Sequence, residues 1–264
     1  MRLSRSGLSS SLESGIDVIG DIAIVKLRPE VKVQESELAQ AILGEMKNVR
    51  CVYGQEGGIE GDFRLRKLRH LGGEERTVTM HKENGIRLKL DVETCYFSPR
   101  LSTERLRIAE KVPPGEKVLN MFAGVGPYSV LIAKKTRVWS CELNSAAVKF
   151  HAENNKLNKV EARVTMIEGD AMRLPERLPG EKFDRILMPH PSQSNLFLPA
   201  ATSMLAPGGV IHYYRHVSGE DVREAEANLS KELESAPQLS VGAVRKVRLI
   251  GPHYIELEAD LKLA

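Results

Sequence analysis

The sequence has few cysteines, no long apolar run and no strong excess of charge of either sign. Its thiols are Cys51, Cys95 and Cys141, far apart and without a Cys-x-x-Cys pair. That arrangement excludes a disulfide framework and offers no zinc spacing, so a reducing, cytoplasmic setting without a metal is expected. No stretch is apolar for long enough to form a membrane-spanning helix. The first residues, Met1 to Ser14, are rich in Ser and Arg and lack an apolar centre. They read as a flexible tail and not as a signal peptide. There is no internal repeat. A net charge of +3 and a pI of about 8.7 are too mild to indicate nucleic acid, so only a local cluster of cations can carry that reading.

What is present is an ordinary globular composition: 264 residues, 42% hydrophobic and 28% charged. Residues 15–98 read as a small α+β domain. Ile16 to Leu27 gives strand, Gly20-Asp21 turn, strand, closed by Pro29. Ser36 is placed to cap a helix over 36–43. A strand at 49–53 leads into a glycine-rich loop, Gly54 to Gly61. The run Arg64-Leu65-Arg66-Lys67-Leu68-Arg69-His70 partly alternates, which would put most of its cations on one strand face. Strands at 77–81 and 87–92 flank a turn at Asn84-Gly85. From Ser102 the texture changes. After a helix at 103–112, strands at 117–122, 136–142, 163–168, 183–188 and 209–214 alternate with helices at about 128–134, 144–157, 171–176 and 194–205. Such alternation predicts a doubly wound, mostly parallel sheet. Pro207-Gly208-Gly209 marks the turn before the fifth strand, and a helix at 219–234 follows it. Strands at 240–250 and 253–262 are joined only by Gly251-Pro252, too short for a parallel crossover, so they form an antiparallel hairpin.

The chain is organised around Val118 to Tyr128. An apolar run reaches a small-residue turn, Ala123-Gly124-Val125-Gly126, and a helical pattern begins at Pro127. Strand, glycine turn, helix brings backbone close to a ligand. A dinucleotide site would have a third glycine; here it is absent, and Pro127 removes an N–H that a pyrophosphate would use. Glu142, at the end of the second strand, suits both hydroxyls of a ribose. Asp170 after the third strand suits an adenine amino group, and small Ala171 leaves room for the ring.

These features, with Pro-Gly-Gly and the terminal hairpin, resemble a class I S-adenosylmethionine-dependent methyltransferase. The closer resemblance is to the tRNA guanine-37 N1-methyltransferases of archaea and eukaryotes, and to their relative, the aminocarboxypropyl transferase of the wybutosine pathway. It is carried by Phe97 to Arg105, Asn120 to Ser129, Glu153 to Val160, Asp184 to Met188 and Ile211 to Tyr214, with Gly20-Asp21-Ile22-Ala23 resembling the start of the family's tRNA-facing middle domain. The implied fold is a Rossmann-like class I methyltransferase sheet with a C-terminal antiparallel hairpin (99–264), preceded by the small α+β domain (15–98). Two departures stand out. The family usually has Asp where Asn120 stands, and an Asn-Leu-Pro motif where Met188-Pro189-His190-Pro191 stands. The family's separate N-terminal domain is expected to be absent or reduced.

The resemblance implies methyl transfer from S-adenosylmethionine to N1 of guanosine 37 in a splayed-out anticodon loop; a monomer is expected. N1 carries a proton at neutral pH, and its loss puts charge on O6. The site therefore needs a base and a cation or donor. Glu110 is the candidate base and Arg100 the candidate O6 or phosphate ligand, with His190 as a possible helper. Phe122, Ala123, Gly124, Gly126, Glu142, Asn144, Asp170, Ala171 and Pro189 are expected to hold the cofactor. Arg64, Arg66, Lys67, Arg69 and Arg105 are expected to meet the RNA backbone. Two other readings stay open: aminocarboxypropyl transfer to the same position, and a tRNA-binding protein with a degenerate cofactor site. The Gly124-Val125-Gly126-Pro127-Tyr128 turn and Tyr213-Tyr214 favour methyl transfer over the first, while Asn120 and Pro189 motivate the second.

Overall fold

The computed structural model describes residues 15–27, 35–61 and 63–264. The expected tail at 1–14 and the closing Pro29 lie outside the described residues. A first sheet has the order β1 (Asp17–Ile19), β2 (Ile22–Val25), β3 (Cys51–Glu60), β4 (Leu65–Gly73). Helix α1 (Glu35–Glu45) lies between β2 and β3, which run parallel. β2 is buried along its whole length. Alternation sends Ala23 and Val25 onto Leu38, Ala39 and Ile42 of α1, while Ile22 and Ile24 enter the larger core. Two sequence expectations change here. Ser36 lies inside α1 and not at its cap. Most of the segment 54–61 is not a loop: β3 continues to Glu60, paired with β4 across a bulge.

Strands β5 (Val78–Glu83) and β6 (Ile86–Asp91) form a separate hairpin that turns at Asn84-Gly85. The Gly20-Asp21 turn docks on it. Gly20 N–H donates to His81 Nδ1 (3.1 Å) and Asp21 N–H to Thr79 Oγ1 (3.2 Å). Gly20 has φ +59°, and a Cβ there would lie 2.2 Å from Thr79 Oγ1. Glycine is therefore required by the contact as well as by the turn.

Helix α2 (Ser102–Lys111) opens the larger unit. There follow β7 (Lys117–Asn120), α3 (Pro127–Ala133), β8 (Arg137–Glu142), α4 (Ser145–Leu157), β9 (Val164–Glu168), α5 (Leu174–Arg177), β10 (Phe183–Met188), α6 (Ser194–Met204), β11 (Leu205–Ser218), α7 (Val222–Leu233), β12 (Leu239–Gly251) and β13 (Tyr254–Leu263). The sheet order is β12-β13-β11-β10-β7-β8-β9. All neighbours are parallel except β13, which is antiparallel to both β11 and β12. The doubly wound sheet and the terminal hairpin form as the pattern requires. Pro207-Gly208-Gly209 is not a free turn: it lies inside β11, where the pairing with β10 shifts register between Phe183 and Arg185.

The asparagine motif of α4 explains how the β5–β6 hairpin is held. Asn154 accepts from Lys89 N–H (2.7 Å) and donates to Lys89 C=O (3.0 Å). Asn158 does the same to Arg87 (3.0 and 2.7 Å). Residues four apart on a helix share a face, as do residues two apart on a strand, so two amides satisfy the open edge of β6. Asn154 also donates to Val125 C=O (2.9 Å), which ties hairpin, helix and glycine turn together. One apolar core then runs from Ile19 and Leu88 to Ile108, Val130 and Leu187. No helix among the described residues is long and apolar enough to cross a membrane.

Candidate functional site

The strand order reverses at β7, which has β8 on one side and β10 on the other. Such a switch point opens a crevice at the carboxyl ends of the strands. The chain leaves β7 through Asn120, which is fully buried. Its amide donates to Ser129 Oγ (3.0 Å) and accepts from Phe122 N–H (3.3 Å), and Ser140 Oγ donates to Ser129 Oγ (2.8 Å). Asn120 therefore belongs to a neutral buried network, where a carboxylate would carry a desolvation cost. Further along the turn, Gly126 takes φ +90° as the residue before α3. A Cβ there would lie 2.2 Å from the ring of His151. His151 is fully buried, and burial lowers its pKa from the ordinary 6.5 to about 3.

A cavity of about 310 Å³ fills the crevice. Phe122, Gly124, Glu142, Asn144, Asp170, Ala171, Pro189 and His190 all line it, so most of the expected cofactor residues converge. Glu142 accepts from Gly124 N–H (2.6 Å) and Asn144 N–H (2.8 Å). Burial pushes its carboxyl up, against the pull of these two donors. Each oxygen keeps acceptor capacity for a vicinal diol. Asn144 caps α4 and also donates to Thr94 C=O (2.7 Å). Asp170 accepts from Met172 N–H (2.9 Å) through one oxygen. Ala123 and Gly126 build the turn: Ala123 N–H donates to Cys141 C=O, and Gly126 N–H to Ala123 C=O.

Sequence reasoning missed part of this wall. Phe63, Tyr96, Leu143, Gln193 and Phe197 also line the cavity. Leu143 stands 49% exposed directly after Glu142, and a bare leucine beside a ligand acid was the available signal. Phe122 packs tilted on His190 (5.0 Å) and edge-on against Phe197 (4.8 Å).

A second cavity of the same volume shares Arg64 and Tyr96 with the first. The Arg64 guanidinium lies 4.8 Å over the Tyr96 ring and reaches Ser192 Oγ (3.5 Å). Arg66 and Arg100 line the second cavity and both donate to Asp17 (3.0 and 2.6 Å). Arg100 thus stands apart from the cofactor turn.

Three expectations are corrected. The cations of β4 do not share one face: Arg66 turns to the cavity, while Lys67 and Arg69 turn to the other side and pair with Glu56 and Glu35. Arg105 is not a phosphate ligand. It is 2% exposed, forks onto Glu83 (2.6 Å twice) and lies over Phe97. Glu110 is exposed on α2; it lines neither cavity, and Glu104 of the same helix lines neither, so burial is what separates the two acids. The acid that α2 buries is Glu104. It accepts from Tyr214 Oη (2.6 Å), Arg107 (2.6 and 2.9 Å) and Arg245 (2.5 Å). Burial alone would raise its carboxyl, but these donors outweigh that and hold it low.

Residues 79–238 match the family model of the TRM5/TYW2 methyltransferase domain, and residues 4–77 match that of the TYW2 N-terminal domain. The chain belongs to the TRM5/TYW2 methyltransferase family. It is 48% identical over 204 residues to the tRNA (guanine(37)-N(1))-methyltransferase Trm5b of Pyrococcus abyssi, covering 77% of this chain and 60% of that protein. The chain thus spans less than two thirds of that relative. The structure of an aTrm5 with tRNALeu superposes with a TM-score of 0.86 at 34% identity, over 98% of this chain and 75% of that one. Methanocaldococcus jannaschii Trm5 in complex with adenosine gives 0.82 at 31% identity, over 100% and 78%. Membership in the TRM5/TYW2 family fits the sheet order and the crevice at β7, both already fixed by this chain's own pairing.

Proposed function

We propose that this chain transfers a methyl group from S-adenosylmethionine to N1 of guanosine 37 in tRNA, as a monomer in the cytoplasm. The observation that carries the reading is the joint at Arg64 and Tyr96. There a cavity with a diol acid (Glu142) and an adenine acid (Asp170) adjoins one lined by arginines, the two sharing Arg64 and Tyr96. The first suits an adenosyl cofactor, the second an anionic acceptor. The reaction is an in-line displacement. The N1 lone pair attacks the methyl carbon, the carbon–sulfur bond breaks, and its electron pair returns to sulfur. Arg64, at the joint, is placed to meet the negative charge that grows on O6. We assign the proton-accepting role to Glu104, the ionised, buried acid of α2, ahead of Glu110, which faces solvent. Pro189 and His190 wall the cofactor cavity and narrow the approach of the base.

A second reading has its own support, since residues 4–77 match the TYW2 N-terminal domain. It is aminocarboxypropyl transfer from the same cofactor. One experiment separates the two. The protein is incubated with tRNA transcripts carrying G37 or A37, and the nucleosides are weighed by mass spectrometry. A one-carbon gain confined to G37 is expected. An aminocarboxypropyl gain, or equal labelling of A37, refutes the methyl reading.

A further inference from the structure

The second cavity has walls from three separate parts of the chain. The N-terminal sheet gives Asp17, Lys26 and Arg66, the segment before α2 gives Arg100, and the tip of the β12–β13 hairpin gives Arg248, Leu249 and Ile250. Its charge is one-sided: four arginines and Lys26 against a single acid, Asp17. Arg100 spends Nε on Asp17 (2.6 Å) and one N–H on Gly15 C=O (3.3 Å), which leaves further N–H groups of its fork for an anion. The same cavity carries apolar surface. Leu249 is 64% and Ile250 42% exposed at the hairpin tip, beside Arg248. Arg248 is anchored by Glu256 (2.6 Å) and Ser98 Oγ (3.4 Å), so this wall is pinned to the core of the hairpin. Exposed Leu-Ile next to arginines makes a poor solvent face. It makes a good seat for a unit that is anionic at one end and flat and apolar at the other, which is a nucleotide of a single strand.

We propose that the second cavity holds the nucleotide next to the methylated one, its phosphate against Arg100 and its base against Leu249 and Ile250. The inference rests on the RNA-substrate reading above and adds a specificity element to it. The C-terminal hairpin, on the far side of the sheet from β9, reads the flank of the target. Because the two cavities meet at Arg64 and Tyr96, consecutive nucleotides of one strand can enter both.

The test is a cycle between protein and RNA. Wild type and the Leu249→Ala/Ile250→Ala protein are assayed on G37 transcripts that are intact, or abasic at position 36 or 38. Loss of the apolar seat should raise KM for intact tRNA about tenfold, the scale of uncovering one base from aliphatic contact, with cofactor Kd unchanged. One of the two abasic transcripts should raise KM for wild type by a similar factor and cost the double variant little more. Multiplying penalties at both positions would overturn the proposal. In the same assay Arg100→Ala should flatten the plot of log affinity against log salt by about 0.7, one single-strand phosphate. An unchanged slope would overturn the phosphate contact. If wild type methylates no intact transcript, the RNA reading itself fails, which is a different outcome from uncoupled penalties.

Discussion

His151 gives the sharpest test of how the cofactor turn is supported. Its ring packs under Gly126, it is fully buried, and among the described residues neither ring nitrogen has a hydrogen-bond partner. In the folded chain it protonates only near pH 3; in the unfolded chain it does so near 6.5. Between those values the unfolded state binds the extra proton, so stability falls as pH falls below 6.5 and the loss levels off near 3. Above 6.5 both states are neutral and the term vanishes. At pH 5 the term amounts to 1.5 pH units, or about 2 kcal/mol at about 1.4 kcal/mol per unit. Leucine at 151 has a similar volume, favours helix and cannot titrate. His151→Leu should therefore lose about 2 kcal/mol less than wild type on going from pH 7.5 to pH 5, as read by urea titration at both values. All other titrating groups cancel in the difference. If wild type and variant lose stability in parallel, the imidazole is protonated in the fold, and the account of an apolar, neutral support for the turn is wrong.

Gly126→Ala should cripple cofactor binding, because a Cβ meets the His151 ring at 2.2 Å and φ is +90°. Calorimetry with S-adenosylmethionine should show at least a tenfold weaker Kd, and adding His151→Ala should recover only the part due to the clash. Arg105→Ala should cost about 3–5 kcal/mol, since it leaves Glu83 buried without its guanidinium partner. The salt dependence of RNA binding should stay as in wild type; a flatter slope would restore Arg105 as a phosphate ligand. Glu104→Gln should cut kcat by about a hundredfold or more, the scale of a positioned base, while Glu110→Gln should stay within a factor of about two. The reverse order, read in single-turnover methylation, would return the base to Glu110.

What the sequence made legible follows physical lines. The sheet and its terminal hairpin were readable because strand–helix alternation and a two-residue join leave few topologies. Glu142, Asp170 and the glycine turn were readable because each sits at the end of a strand, where chain direction alone aims it at the crevice. Residues whose role depends on a partner far along the chain were not readable. Arg105 on α2 was expected to meet the RNA backbone, but its partner is Glu83 of β5, which no local pattern reveals. Glu110 and Glu104 are six residues apart on one helix, and composition cannot say which of the two faces inward; packing against Tyr214 and Arg245 decides it. The β4 run misled for a different reason. The run alternates only in part: Arg66 differs in parity from Lys67 and Arg69, so they point to opposite sides of the sheet.

The family motifs divide by the same logic. Asn154 and Asn158 of the α4 motif hold the backbone of β6. Arg185 and His212 lie in a buried chain, with Arg185 forked onto Glu116 and His212 set between Arg185 (2.5 Å) and Glu258 (2.8 Å). Glu258 accepts in turn from Arg107 (2.7 Å), which forks onto Glu104. The polar chain therefore connects the C-terminal hairpin to the one buried acid of α2, while the tip of the same hairpin closes the second cavity. A hairpin that both holds the acid and walls the acceptor side gives position and protonation state a common support. A substitution at Glu258 should therefore disturb Glu104 before it disturbs the cofactor cavity, whose walls come from other strand ends.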